Sequence, residues 1–299
     1  MTAPDLSVAT TVSEAWRMLR AAFRAAGLET ADLDARLLAA GLTGLEPHRI
    51  VTGCADPLTP AQAQALARAM AERLGGRPVH RILGARDFYG LTFALSPATL
   101  EPRPDTETLV DAVLAFVRAR VARYGTCRIA DLGIGTGAIG LTLLAECPGA
   151  QCLGIDLSAE AVSTALANAR SLGLAGRYAA VAGNWFEGID AHFDLIVSNP
   201  PYIPTADLAT LTRDVTEHDP MLALDGGADG LAAYRAIAAQ AGERLAKAGL
   251  VALEIGSGQK AEVAGLFAAR GFALEDVIAD LGGVDRVLLF TFGGGGRGD

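Results

Sequence analysis

Apolar residues recur every three or four positions over the first eighty residues of the chain and then change period. Val12, Trp16, Leu19 and Phe23 fall on one face of a helix that Thr11-x-x-Glu14 opens with capping-box spacing and Gly27 stops. A second helix is expected over about 31–40, with Leu33, Leu37 and Leu38 turned inward. A third starts at Pro60 and carries Leu66, Met70 and Leu74 up to Gly75-Gly76. Apolar stripes of this kind bury against one another, so residues 1–84 read as a small helical bundle. Arg73, Arg77 and Arg81 are four apart, but Gly75, Gly76 and Pro78 between them argue against a continuous basic stripe. From Arg86 to Leu95 the period becomes two, with Phe88, Leu91, Phe93 and Leu95 around Tyr89-Gly90, which predicts a β-hairpin linker over 85–98. Pro97, Pro102 and Pro104 then forbid regular structure until Asp105 or Thr106 caps a helix running to about residue 123.

Beyond Cys127 strand and helix patterns alternate, as in a doubly wound parallel sheet. Strands are predicted at 128–131, 151–155, 178–181, 193–197, 249–254, 272–278 and 285–290. Leu281-Gly-Gly-Val284 divides the last two, which read as an antiparallel closing pair. Residues 99–292 therefore form one α/β domain with a seventh strand that a six-stranded dinucleotide fold lacks, and 293–299 reads as a flexible glycine tail.

Composition narrows the setting. Of 299 residues 51% are hydrophobic and 20% charged, which excludes a disordered chain and allows two cores. Residues 1–100 carry ten Arg against nine acids, a net of +1, and 101–299 carry 15 basic against 25 acidic residues, a net of −10. Such a balance argues against a protein that tracks a phosphate backbone, and direct nucleic-acid binding is not expected. No stretch reaches the ~20 apolar residues of a membrane span, and the first ten residues lack a basic region followed by an apolar one. Cys54, Cys127, Cys147 and Cys152 match neither a metal pattern nor a compact disulfide framework. They read as core thiols in a reducing compartment, so a soluble cytosolic (cytoplasmic) protein without a metal is expected.

Chemistry concentrates at three strand ends. Asp131-Leu-Gly-Ile-Gly-Thr-Gly137 follows the first strand, and its glycines let the backbone approach a ligand closely. Gly135, Gly137 and Gly140 also satisfy the dinucleotide spacing, which keeps a nicotinamide oxidoreductase open. Asp156 ends the second strand, 19 residues beyond Gly137, where a carboxylate can accept both hydroxyls of a ribose. Ser198-Asn-Pro-Pro-Tyr-Ile-Pro204 follows the apolar strand Phe193-Asp-Leu-Ile-Val197. Two prolines there stop sheet and helix alike, and Asn199 and the Pro200 carbonyl can accept the two hydrogens of a planar NH2 beside the Tyr202 ring. An amide or an exocyclic amine suits such a site. His218, between acids, and the lone Glu254 read as structural or solvated groups.

In these motifs the chain resembles the seven-stranded class I S-adenosylmethionine-dependent methyltransferases, Rossmann-like in fold, and within them the amino-methylating branch that carries N-P-P-Y. Further matches are Arg86-Asp-Phe-Tyr-Gly90, Ser96-Pro-Ala-Thr-Leu-Glu-Pro-Arg-Pro-Asp-Thr-Glu107, Asn184-Trp-Phe186 and Glu217-His-Asp-Pro220. Leu224-Asp-Gly-Gly-Ala-Asp-Gly230 and Asp280-Leu-Gly-Gly-Val-Asp-Arg286 continue them. Together they resemble the PrmC/HemK family, protein-(glutamine-N5) methyltransferases acting on the Gly-Gly-Gln loop of class 1 peptide chain release factors. The resemblance implies that Gly133, Ile134, Gly135, Thr136 and Gly137, with Asp131 behind them, hold the methionine end of S-adenosyl-L-methionine, with S-adenosyl-L-homocysteine as product. It also implies Asp156 on the ribose, Asn184 and Trp185 near the adenine, and Arg103 and Thr106 closing the pocket. Asn199, Pro200, Pro201 and Tyr202 would hold the substrate glutamine, with Asn199, Pro200 and Tyr202 as the catalytic set. Ile134 and Asn184 depart from the family's usual residues. The N-terminal bundle is expected to read a release factor's shape, and the protein to act as a monomer. The alternatives are an adenine-N6 nucleic-acid methyltransferase, the nicotinamide oxidoreductase, and a non-catalytic nucleoside-binding scaffold.

Overall fold

The structure, a computed structural model, describes residues 5–53 and 55–293. The expectations for Cys54 and for the tail beyond Gly293 lie outside the described residues. The chain divides into two compact units between Ala85 and Arg86.

The first unit is helical: α1 (Val12–Ala25), α2 (Ala31–Thr43), α3 (Pro47–Val51), α4 (Pro60–Leu74) and α5 (Val79–Leu83). Glu14 N–H donates to Thr11 Oγ1 at 3.2 Å and Thr11 N–H donates back to the Glu14 carboxylate at 3.2 Å, so the capping box closes. Thr59 and Gln62 repeat the device ahead of α4, with Pro60 preset at its first position. Leu19, Phe23, Leu38, Leu66 and Met70 meet in the core. Leu33 and Leu74 do not, being 44% and 38% exposed. Ala35, Leu38 and Ala39 on α2, and Leu66, Ala69 and Met70 on α4, define the buried faces and leave those two leucines at the rim. Helix α2 also outlasts its apolar pattern and stops only at Gly44, whose φ of 74° suits a glycine cap. Arg73 Nε donates to Asp34 at 2.7 Å in the interior, tying α4 to α2. Arg73 and Arg81 are buried while Arg77 pairs with Glu72, so the three arginines form no common surface stripe.

The second unit opens with the hairpin β1 (Ala85–Phe88) and β2 (Leu91–Ala94) and continues through α6 (Glu107–Tyr124). Then come β3 (Cys127–Leu132), α7 (Ala138–Glu146), β4 (Ala150–Asp156), α8 (Ala159–Ser171), β5 (Tyr178–Ala182), β6 (Phe193–Ser198) and the short α9 (Arg213–His218). The unit ends with α10 (Ala232–Arg244), β7 (Leu245–Glu254), α11 (Lys260–Ala268), β8 (Phe272–Ala279) and β9 (Asp285–Phe292). The seven strands lie in the order β5-β4-β3-β6-β7-β9-β8, parallel except for β9, which runs against both its neighbours. Neither Asp105 nor Thr106 caps α6 through its side chain; residues Pro104–Thr106 form a 3-10 turn that leads into the helix. Strand β7 begins four residues before its apolar run, with Ala248 at φ 55° where the chain is kinked.

The pleat distributes side chains to two cores, one on each face. Ile129, Leu195, Val197, Leu250, Ala252 and Val287 pack toward α6, α7 and α8. Ala130, Leu132, Ile196, Val251, Leu253, Leu288 and Phe290 pack toward α10 and α11. Both faces are covered, which is why the central strands are mostly apolar on both sides, Arg128 and Asp131 on β3 and Asp194 on β6 excepted. Cys127, Cys147 and Cys152 are buried free thiols. No helix among the described residues is long and apolar enough to cross a membrane.

Phe290 stacks on Phe267 at 4.5 Å between ring centres and is fully buried. Truncating Phe290→Ala is expected to cost about 3–5 kcal/mol, through lost transfer energy and a residual cavity. Urea unfolding followed by far-UV circular dichroism checks it, and a loss below about 1 kcal/mol would place the aromatic stack outside the cooperative core.

Candidate functional site

From β3 the chain crosses through α7 to β4 and on to β5, and then returns to the other side of β3 as β6. At this reversal the carboxyl ends of adjacent strands part, and a crevice opens there in doubly wound sheets. A cavity of about 300 Å³ occupies it, lined by Gly133 and Gly135 after β3, Asp156 after β4, Asn184 and Trp185 after β5, and Asn199 and Pro201 after β6. Leu100, Leu157, Leu222 and Ala232 complete the wall.

Gly133, Gly135 and Gly137 have φ of 69°, 51° and 80°, a conformation that few side-chain-bearing residues adopt. This run turns the chain from β3 into α7. Ile134 between them is buried among α7 and α8 residues, so its side chain belongs to the core and its place in the loop is a backbone one. Asp156 accepts the Gly135 N–H at 2.9 Å and the Ser158 N–H at 2.8 Å, which joins the ends of β3 and β4 through one carboxylate. Burial raises its pKa above the ordinary carboxylate value, against the pull of those two N–H groups.

Several residues grouped with the cavity in the sequence stand behind it. Asp131 is 1% exposed and accepts the Gly140 N–H at 2.9 Å, so it braces the start of α7 beneath the glycine loop instead of lining the cavity. Thr136 is buried, and its carbonyl accepts from Asn168 Nδ2 at 2.9 Å. Gly137 caps α7, and an added Cβ would lie 3.1 Å from the Tyr178 hydroxyl. Arg103 pairs with Asp219 at 2.6 Å, which ties the segment before α6 to the one after α9. Trp185 lies on the cavity at φ 53° while Phe186 enters the core, so this left-handed residue divides the pair between two surfaces.

The N-P-P-Y segment is anchored along its length. Asn199 Nδ2 donates to Thr106 Oγ1 at 3.0 Å. Pro200 is buried, and Tyr202 faces a second cavity shared with Gly256 and Gln259. Gln259 Nε2 donates to the Tyr202 carbonyl at 3.1 Å and the Gly230 carbonyl at 3.3 Å, while its Oε1 accepts the Gly256 N–H at 3.0 Å. Gly226 and Gly230 press so closely that a Cβ on Gly230 would sit 2.4 Å from the Tyr202 carbonyl oxygen. Glu254, read from sequence as an unremarkable strand end, is only 2% exposed beside this segment. Burial pushes its pKa up to about 7, opposed chiefly by hydrogen bonding from Thr106 and the charge of Arg286.

Gln259 and Tyr234 beside this segment have no role in the sequence analysis, and Glu254 enters it only as a structural or solvated group. Tyr234 donates to the Glu254 carbonyl at 3.0 Å, so the three form one support under the N-P-P-Y segment. Their common signal was faint. Glu254 is an acid inside an apolar strand, which needs a partner to be tolerated, and that partner is 148 residues away at Thr106.

Glu254 holds its proton more tightly in the folded chain than in the unfolded one. The stability this confers is complete below the unfolded value near 4.5 and disappears as pH rises through about 7. Glu254→Gln, which cannot ionise, should therefore gain stability relative to the parent between pH 5 and pH 8, measured as the difference in melting temperature at each pH. A difference that does not change with pH would mean that Glu254 ionises as freely in the fold as in water.

The chain is similar to proteins of named activity. The family model for the PrmC N-terminal domain matches residues 14–84, and that for the methyltransferase small domain matches residues 110–227. A release factor glutamine methyltransferase of Agrobacterium fabrum is 50% identical over 280 residues, covering 94% of this chain and 97% of its own. Another, from Bradyrhizobium diazoefficiens, is 48% identical over 93% of both chains. Among solved structures, a methyltransferase from Pyrococcus furiosus aligns with a TM-score of 0.50 at 17% identity, covering 75% of this chain and 98% of that one. The hMettl16 catalytic domain aligns at 0.52 and 15% identity, over 79% and 83%. These two speak for the fold alone, that of the class I S-adenosylmethionine-dependent methyltransferases. The two relatives match at close to half identity over more than nine-tenths of each sequence, and this chain belongs to the release factor glutamine methyltransferase family.

Proposed function

We propose that this chain methylates the N5 amide nitrogen of the glutamine in the Gly-Gly-Gln motif of class 1 peptide chain release factors, using S-adenosyl-L-methionine and releasing S-adenosyl-L-homocysteine. The observation that carries this reading is the Asn199 amide. Its Nδ2 is committed to Thr106 on the inner side, while the residue forms part of the cavity wall whose other side is the glycine loop and Asp156.

The cavity suits that cofactor. Gly133 and Gly135 bring backbone without Cβ to one wall, Asp156 keeps acceptor lone pairs beyond the two N–H groups it already takes, and Trp185 offers an aromatic face. Asp156 would hold the ribose hydroxyls, Trp185 and Asn184 the adenine, and the glycine loop the methionine end. When bound, the cofactor supplies an electrophilic methyl group on a sulfonium.

A glutamine nitrogen is a weak nucleophile because its lone pair is shared with the carbonyl. Asn199 Oδ1 and the Pro200 carbonyl can each accept one of its hydrogens, which turns the lone pair toward the methyl and favours pyramidal nitrogen. Orientation thus does most of the work, and the proton can leave after transfer, when the nitrogen has become acidic. The helical first unit reads the release factor's shape, since one glutamine offers too little surface for specificity. The same reading has the protein act as a monomer, and in the cytosol, the latter in keeping with the three buried free thiols among the described residues.

An adenine amine is the rival acceptor, because it presents the same planar NH2. The net −10 over residues 101–299 disfavours a polyphosphate there. Intact release factor, DNA and RNA, offered in parallel with labelled cofactor, should yield label on the Gly-Gly-Gln glutamine alone, located by tandem mass spectrometry. Label mainly in nucleic acid, falling steeply with salt, would overturn the choice of partner. For the site itself, Asp156→Ala should weaken cofactor binding by about 2 kcal/mol in calorimetry, the scale of a charged hydrogen-bond partner. Asn199→Ala should lower kcat far more than it raises KM, and near-parental turnover would remove Asn199 from its role.

A further inference from the structure

We propose that Glu254 is a positioning residue for the transfer, acting through the Thr106 hydroxyl to hold the Asn199 amide with Nδ2 inward and Oδ1 toward the acceptor nitrogen. The inference rests on the role given to Asn199 above and names what enforces it.

Strand register places the carboxyl where this is needed. Leu253 pairs with Ser198, so Glu254, the last residue of β7 and still paired with Val287 of β9, stands beside Asn199, the first residue beyond β6. Glu254 is buried, and its Oε2 lies out of solvent without a hydrogen-bond partner. An acid left so poorly satisfied in an interior is a cost that a purely structural position would avoid by carrying leucine or glutamine. Thr106 Oγ1 accepts from Asn199 Nδ2 at 3.0 Å. A hydroxyl that accepts from an amide has its own proton to give, and the Glu254 carboxylate, whose burial-raised pKa is drawn down by hydrogen bonding from Thr106 and, to a lesser degree, from Asn199, is the acceptor beside both.

The direction of the chain then has one solution. With Glu254 ionised, turning Asn199 over would set its Oδ1 against the Thr106 oxygen and close to a carboxylate, oxygen facing oxygen. A protonated Glu254 loses this discrimination, because it can itself donate to Thr106. The groups around the carboxyl are Arg286 on β9, Asp105 before α6, Tyr202 after β6 and Tyr234 on α10. Arg286 is engaged with Asp280 at 2.9 Å and with the Ile255 carbonyl at 3.1 Å, so it tempers the charge without neutralising it. Asp105 acts in the opposite sense.

The test uses the full-length protein, S-adenosylmethionine and an intact release factor, with kcat and KM measured from pH 5.5 to 8.5. The parent's kcat should climb as pH rises toward 7 and level off above it. Glu254→Gln should bind cofactor within about twofold of the parent and keep KM within about threefold. Its kcat should fall about ten- to a hundredfold, the scale of a misplaced reacting group, and its acid limb should vanish. Thr106→Val should lose as much, Thr106→Ser should recover at least tenfold of that, and the double variant Thr106→Val with Glu254→Gln should be no worse than either. A Glu254→Gln enzyme with the parent's kcat, or with reduced kcat on an unchanged pH profile, would overturn the inference. So would losses that appear equally in cofactor affinity and KM, since these mark a general structural defect. A parent that transfers no methyl to the glutamine would instead sink the proposed function, and the positioning role with it.

Discussion

A buried parallel strand that must stop is the constraint on which the crevice at the sheet reversal depends. From Leu195 to Val197 strand β6 is apolar on both faces and paired on both edges, so nothing in that run ends it. Pro200 and Pro201 end it by having no N–H to donate, and Ser198, the last residue inside, turns its hydroxyl onto the Leu132 carbonyl at 2.7 Å. That bond ties β6 to the end of β3 at the point where the sheet order reverses. Once the chain leaves the ladder there, its backbone groups need other partners, and the surroundings supply them: Gln259 for Tyr202, and Gly226 for Ile203 at 2.8 Å.

Much of this was legible in the residues. Alternating apolar runs and glycine punctuation located all seven strands, because covered faces and tight turns leave strong local marks. The five-residue helices α3 and α5 left none, being too short for a period to show. Leu33 and Leu74 misled for a different reason: apolar residues at helical spacing say which side of a helix is buried, but the width of the neighbouring helices decides where that burial stops. At the site, the cavity residues Gly133, Gly135, Asp156, Trp185 and Asn199 were recoverable because each belongs to a motif at a strand end. Asp131 belongs to the same motif yet faces inward, a difference of side-chain direction that spacing does not encode. Glu254 and Gln259 sit in no motif and face partners more than fifty residues away, so the fold was needed to bring Gln259 into view and to give Glu254, read from sequence as structural, its neighbours.

The two departures from family usage fall at positions with different tolerances. Ile134 contributes a side chain to the α7 and α8 core and only backbone to the loop, so bulk there is absorbed by packing, where its methyl groups already press on Gly154. Asn184 is exposed at the cavity's edge, where its side chain is not built into the core. Glu254 has no such freedom. Burial favours its neutral form while the orientation of Asn199 needs the charged one, so the fold keeps a destabilising group at the place where its charge sets a direction.

The left-handed turn at Trp185 has an optical consequence. The chain contains two tryptophans, and they occupy unlike surroundings. Trp16 is 8% exposed within the helical core of the first unit, whereas Trp185 is half-buried on the cavity wall of the second. Emission from the native protein is therefore the sum of a sheltered indole and a solvent-touched one, each belonging to a different unit. Any molecule that stacks in the cavity quenches or shifts only the second, and loosening of the helical bundle alters only the first, so unlabelled protein carries a separate fluorescent reporter for each half of its chain.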